Sequence, residues 1–262
     1  MDISLLLSDE EYQAKHEGQH SVPYKYEIKS NSQVLFYFGT RHSHNPQDKQ
    51  WEKLTDYWKR FLNTVGGNRV LLLEGPQFDT KELSNETLIQ RFGESGVLIQ
   101  LAQVNNVPVA WPDISITDEA SLLSKQFDQE LVHYYIFIRS VGAWLRAGTM
   151  GDFDTIVAKA VEATLRRVVS APSEVATYAN IHEHIFGRPF SPNEQEVIIR
   201  ASAPVYHDSI INDIARVSSR ARNEHIVLEA KKCWQKGDSI FMLFGAAHAV
   251  IQEPALRTLT LQ

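Results

Sequence analysis

The sequence has little of what marks secreted or membrane proteins. It contains one cysteine, Cys233, among 262 residues, so no disulfide bond can form within the chain and a reducing compartment is expected. No apolar run approaches the length of a membrane span, and the run near the N-terminus, 5–7, is too short for a secretory signal. We therefore predict a cytoplasmic protein without a membrane partner.

The chain also has no excess of positive charge. Lysine and arginine number 26 against 32 acidic residues, and no basic patch indicates a nucleic-acid partner. The phosphate-binding P-loop, the Rossmann glycine pattern, Gly-x-Ser-x-Gly and Cys-x-x-Cys are missing. Nucleotide-binding, serine-hydrolase and zinc-ribbon functions therefore lose their usual support. With 43% hydrophobic residues, the composition is ordinary for a globular protein with a large core.

The order of apolar runs predicts an α/β fold. Alternation over 24–30 and the buried run that follows it predict a β-hairpin, and 69–74 predicts a further buried strand. From 118 to 206 the pattern is helical, and a long helix over 208–235 precedes a buried strand and a last alternating strand at 256–261. We predict a single α/β domain over 1–262, with 118–206 as a helical insertion or cap.

Two buried strands are each followed by the pattern Gly-x-x-His. The first is Gly39–His42 and the second is Gly245–His248, about two hundred residues later. A strand that is apolar throughout belongs inside a sheet covered on both faces. Ligands of open α/β sheets bind beyond the carboxyl ends of the strands, so both histidines are predicted at the rim of one crevice.

Three further residues are candidates for the same site. Glu74 ends the predicted strand 69–74, where a carboxylate must be solvated, paired or bound to a metal. Arg222 and Asn223 lie on the long helix, where a guanidinium suits a carboxylate or an oxyanion, although a solvated charged face is the simpler interpretation.

A second pair of histidines, His182 and His184, brackets Glu183. Residues two apart on a helix do not share a face, so this group does not form a metal site and is predicted at the surface.

Four short motifs in order resemble the TraB/TIKI group, which belongs with the erythromycin-esterase-like and ChaN-like proteins. They are Gly39–His42, Leu72–Gly75, Arg222–Asn223 and Phe244–His248. The resemblance covers about 33–115 and 208–261 and leaves the helical middle unmatched. It implies a central mixed β-sheet of two related halves flanked by helices. It also implies that His42, Glu74 and His248 form the core of one pocket, with Arg222 and Asn223 beside it.

The resemblance implies several functions, because its members include metal-dependent proteases, metal-independent esterases and haem-binding proteins. The first expectation is hydrolysis of a peptide, ester or lactone, with His42, Glu74 and His248 as ligands of Mn, Co or Zn, or as metal-free acid–base groups. The alternative is a pocket that binds a ligand or haem without chemistry. A structural protein with a decayed site is the third interpretation. Substrate and oligomeric state stay open.

Overall fold

The computed structural model describes residues 1–15, 18–64, 66–75, 77, 83–147, 151–168 and 170–261. The chain forms two compact units. The first consists of Met1–Asp113 and Asn223–Gln262, and the second is the continuous stretch Ile114–Arg222. The segment predicted as a helical insertion, 118–206, lies inside the second unit, which extends beyond it at both ends.

The first unit contains a five-stranded mixed sheet. Its strands are β1 (Tyr24–Lys29), β2 (Val34–Thr40), β3 (Arg69–Leu73), β4 (Val109–Ala110) and β5 (Ser239–Gly245). Their order is β1-β2-β5-β3-β4; β1 is antiparallel to β2, and the other pairs are parallel. The hairpin and the α/β class are thus confirmed. The last strand in the chain lies at the centre of the sheet.

Helices make up most of the remaining chain. Those described are α1 (Asp9–Lys15), α2 (Gln50–Thr64), α3 (Asn85–Val104), α4 (Ile116–Leu123), α5 (Gln129–Ala147), α6 (Phe153–Arg167), α7 (Val175–Phe186), α8 (Gln195–Ala201), α9 (Ile210–Gln235) and α10 (Ala246–Arg257). Short 3-10 turns occur at Ile3–Leu5, Pro192–Glu194 and Thr258–Leu261. In the described part of the chain, no helix is long and apolar enough to cross a membrane.

Both faces of the sheet are covered, which explains why its central strands are apolar throughout. Successive side chains of a strand point to opposite faces. Phe36 and Phe241 pack with α2 and α3 on one face, whereas Tyr37 and Met242 pack with α10 and the carboxyl-terminal part of α9 on the other. Every residue of β2 and of β5 is buried.

The prediction of a last strand at 256–261 is wrong. α10 extends to Arg257, and the 3-10 turn follows directly. Leu256 and Leu259 are the buried residues of this segment. Their spacing of three matches a helical turn, whereas a strand would bury alternate residues.

The second unit is helical and has its own core, formed by α4–α8 and the first part of α9. His182, predicted at the surface, is fully buried there, so that prediction is wrong. Its Nδ1 lies 2.6 Å from the hydroxyl of Tyr134, and the rings of Phe186 and Phe190 pack beside it. Burial lowers the pKa of His182 to about 4, because the charged imidazole would lose its hydration.

Candidate active site

The candidate site lies at the carboxyl ends of β2, β5 and β3, three neighbouring parallel strands. Thr40 pairs with Gly245, and the backbone N–H of Glu74 donates to the carbonyl of Leu243. This register places the residues that follow each strand at the same end of the sheet. His42, His248 and Glu74 therefore come together, although His248 lies more than 170 residues after the other two in the chain.

His42 is held in an unusual backbone conformation just after β2. Its φ is 47°, in the left-handed region that few non-glycine residues adopt. Its N–H donates to Oγ1 of buried Thr40 at 3.2 Å, and that hydroxyl donates to Gln50 at 2.8 Å. The imidazole is 58% exposed, and its Nδ1 lies 2.5 Å from Oε1 of Glu94.

Glu74 lies between the two histidines. Its Oε2 accepts the N–H of Gly245 at 2.7 Å, at the beginning of α10, where the helix dipole favours a negative charge. Oε2 is 3.8 Å from Nε2 of His42, and Oε1 is 3.6 Å from Nε2 of His248. The carboxylate is thus anchored to the backbone while facing one ring nitrogen of each histidine.

His248 lies in the first turn of α10 and ends a buried chain of hydrogen bonds. Tyr37 donates to Oε1 of Gln252, Gln252 donates to Oδ1 of Asn223, and that oxygen lies 2.8 Å from Nδ1 of His248. Burial and the charge of Glu74 raise the pKa of Tyr37 well above its ordinary value, so its hydroxyl stays a donor. An amide oxygen only accepts, so Nδ1 of His248 carries the proton and neutral His248 has its lone pair on Nε2.

Arg222 is the last residue of the second unit, although it directly precedes Asn223 of the first unit on α9. Burial would raise the pKa of Glu119 in that unit, but Arg139, the charge of Arg222 and the Ser218 hydroxyl together hold it below its ordinary value. The first unit thus brings together four of the five predicted site residues, namely His42, Glu74, His248 and Asn223. The role of Arg222 at the pocket stays a prediction.

Sequence reasoning missed Glu94 and Gln252. Glu94 lies on α3 and is buried, and it follows Gly93, where the helix is interrupted. A glycine inside a helical pattern was the available signal, because such a glycine often has a packing or functional reason. Gln252 lies one helical turn after His248 on the same face of α10, a spacing that the sequence does show.

The pattern His-Glu-x-x-His also occurs, at 16–20. It is typical of zinc peptidases when both histidines lie on one helix. Here α1 ends at Lys15, Gly18 has a φ of 71°, and Nε2 of His20 lies 3.1 Å from the hydroxyl of Tyr12. His20 is therefore outside any helix, and 16–17 lie outside the described residues.

The donor types at the site suit a divalent metal, since two imidazoles and a carboxylate are common ligands of Zn, Mn and Co. Their arrangement does not complete the fit. Within the described ranges, no group of three or more His, Cys, Asp or Glu side chains is placed so that it could hold a metal ion.

Comparison of the chain with family models, curated proteins and solved structures found no match. The likeness to the TraB/TIKI group therefore consists of the four short motifs alone.

Proposed function

We propose that the chain is a hydrolase that cleaves an ester, lactone or peptide bond in the pocket of His42, Glu74 and His248. One observation carries the proposal: a backbone-anchored carboxylate faces Nε2 of two histidines, at 3.6 and 3.8 Å. In addition, each histidine is oriented through Nδ1 by an oxygen acceptor. The group lies where α/β sheets bind their ligands.

In the proposed reaction, His42 is the general base. Nε2 of His42 takes a proton from a water molecule, and the resulting hydroxide attacks the substrate carbonyl. Glu74, 3.8 Å away, stabilises the imidazolium that forms. When the tetrahedral intermediate collapses, the same proton passes from His42 to the leaving alcohol or amine, so the base is regenerated.

The negative charge on the carbonyl oxygen requires a donor. His248 provides one when its Nε2 is protonated, and both the nearby Glu74 carboxylate and the Oδ1 of Asn223 favour that imidazolium. Asn223 then contributes by holding His248 in place. Arg222 is the alternative donor, as its five N–H groups suit an oxyanion.

Participation of a divalent metal stays an expectation from the donor types. His42, Glu74 and His248 are the residues that would hold the ion, and a bound ion would lower the pKa of a water ligand towards neutrality. The observation in its favour is that ligating histidines are normally oriented by an acceptor at their other nitrogen, as both histidines are here.

The test combines substrate screening with elemental analysis. Untagged protein is assayed with chromogenic esters, lactones and peptides, with and without Mn, Co or Zn, and its metal content is measured beside that of the His42→Ala/His248→Ala double variant. His42→Ala should lower kcat/KM by about 10²–10⁴-fold, the usual contribution of a general base. The melting temperature of this variant should equal that of the wild type, because the imidazole of His42 is 58% exposed.

His207→Ala is the matched control, since His207 is exposed and lies in the second unit. It should retain full activity. Turnover that is equal in wild type and His42→Ala would overturn the proposal. Absence of turnover on every substrate, together with tight binding in a haem titration, would favour the binding function instead.

A further inference from the structure

We infer that Glu94 is a positioning residue that fixes the proton of His42 on Nδ1 and so leaves the lone pair of Nε2 for the base. Its effect on rate rests on the proposed function, whereas its effect on the proton position does not. Nothing in the four motifs points to this residue, which lies 52 positions after His42.

Both oxygens of Glu94 accept hydrogen bonds from the segment that carries the base. Oε1 lies 2.5 Å from Nδ1 of His42, and Oε2 accepts the backbone N–H of Ser43 at 3.2 Å. Only a carboxylate offers two acceptors in this geometry. A backbone N–H can only donate, so the acceptor facing Ser43 is required.

Gly93 makes this approach possible. Its φ of 55° and ψ of −134° interrupt α3, so the helix bends just before Glu94. A Cβ atom at Gly93 would lie 2.5 Å from the carbonyl oxygen of Ser43, a contact with backbone that no side chain tolerates. The glycine therefore allows α3 to come close enough for Glu94 to reach His42.

The burial of Glu94 supports a role beyond the hydrogen bond that holds the backbone of Ser43. The residue is 7% exposed, and a buried carboxylate is costly unless it is well paired. A neutral hydrogen-bonding side chain would hold Ser43 at lower cost. A carboxylate instead favours the imidazolium that forms when His42 accepts the proton of water.

The variant Glu94→Gln distinguishes two roles of Glu94, namely fixing the proton of His42 and holding the backbone of Ser43. Glutamine has one acceptor and one NH₂ group. If its oxygen keeps the bond from Ser43, its NH₂ group faces Nδ1 of His42, which must then accept. The proton moves to Nε2, the shape of the site is retained, and the base is lost. We expect kcat/KM to fall about 10²–10⁴-fold.

The direct measurement is the tautomer of His42, read from ¹⁵N shifts of the two ring nitrogens at the alkaline end of its titration. Wild type should carry the proton on Nδ1, and Glu94→Gln should carry it on Nε2. Glu86→Gln is the control, because Glu86 lies on the same helix, is exposed and bonds only Gln90 among the contacts described for it. It should leave the tautomer unchanged.

An Nε2–H tautomer in wild type, or an unchanged tautomer in Glu94→Gln, would refute the inference. The wild-type spectrum alone decides the matter if the variant does not fold. The expected tautomers in a protein that turns over no substrate would leave Glu94 as assigned and contradict the proposed hydrolase function, so the two failures are distinguishable.

Discussion

Replacing Gly245 by alanine tests the position of the base most sharply. The backbone there has φ −56° and ψ 149°, which any residue adopts without strain. A Cβ atom at Gly245 would lie 2.8 Å from Nε2 of His42 and 3.6 Å from Oε2 of Glu74. The substitution therefore places a methyl group against the proposed base and changes little else.

The size of the effect follows from these distances. Ordinary contact with a Cβ atom begins at 3.4 Å, so the imidazole must retreat by about 0.6 Å. Since a misplacement of about 1 Å can cost about 10²-fold in rate, kcat/KM should fall roughly 10–100-fold. Folding should not suffer, because alanine at a permitted backbone position stabilises a protein by about 0.4–1 kcal/mol.

Gly39→Ala, at the matching position of the first motif, is the contrasting variant. A Cβ atom there would lie 2.8 Å from Cβ of Ala249, 3.0 Å from Cα of Ala246 and 3.2 Å from the carbonyl of Tyr24. These atoms belong to packed backbone and short side chains, so overpacking should cost about 1–3 kcal/mol. Turnover and urea unfolding are measured for both variants. Wild-type turnover in Gly245→Ala, or a loss of its stability equal to that of Gly39→Ala, would refute the placement of His42.

Three further predictions concern the buried polar groups. Glu119→Ala should lower the free energy of unfolding by about 3–5 kcal/mol in urea titrations, because Arg139 would lose its bidentate partner inside the second unit. Equal stability would show that the pair is dispensable. Asn223→Ala should cost about 1–3 kcal/mol and also reduce turnover, since Gln252 and His248 lose one shared acceptor. A stability loss with unchanged kcat would contradict its link to the site. Because the folded-state pKa of His182 is about 4, the unfolded chain binds its proton first as the pH falls, and stability should decline between pH about 6.5 and about 4. His182→Gln should show a shallower decline. Identical curves of stability against pH for the variant and the wild type would show that other groups cause the decline.

The sequence was sufficient for the α/β class because its strongest signals are local. Uninterrupted apolar runs predict strands buried on both faces, and β2 and β5 are such strands. The long helix predicted over 208–235 is found as α9, two residues shorter at its start. The pattern Gly-x-x-His after two buried strands was enough to predict that His42 and His248 lie close together, since parallel strands end at one side of a sheet.

The wrong and missed predictions concern residues whose environment is set by segments far away in the sequence. His182 looks like a surface residue by spacing, yet Tyr134 of α5 and Phe190 cover it. Glu94 reaches His42 only because α3 bends at Gly93, and the direction of that bend is set by tertiary structure. The two motif glycines look equivalent in sequence. In the structure, Gly39 leaves room for α10 to pack against β2, whereas Gly245 leaves room for the imidazole of His42.

The position of β5 gives the candidate site a further property. β5 pairs with β2 on one side and with β3 on the other, so His42 and Glu74 become neighbours only when the last strand of the chain has entered the sheet. The same strand supplies the N–H of Gly245 that anchors Glu74, and α10 after it supplies His248. Contacts between the ends of a chain form late, because closing a long loop costs entropy before any contact is gained. The pocket should therefore appear with the final pairing of the sheet, and a folding intermediate that lacks β5 should contain the strands β1 and β2 without the candidate site.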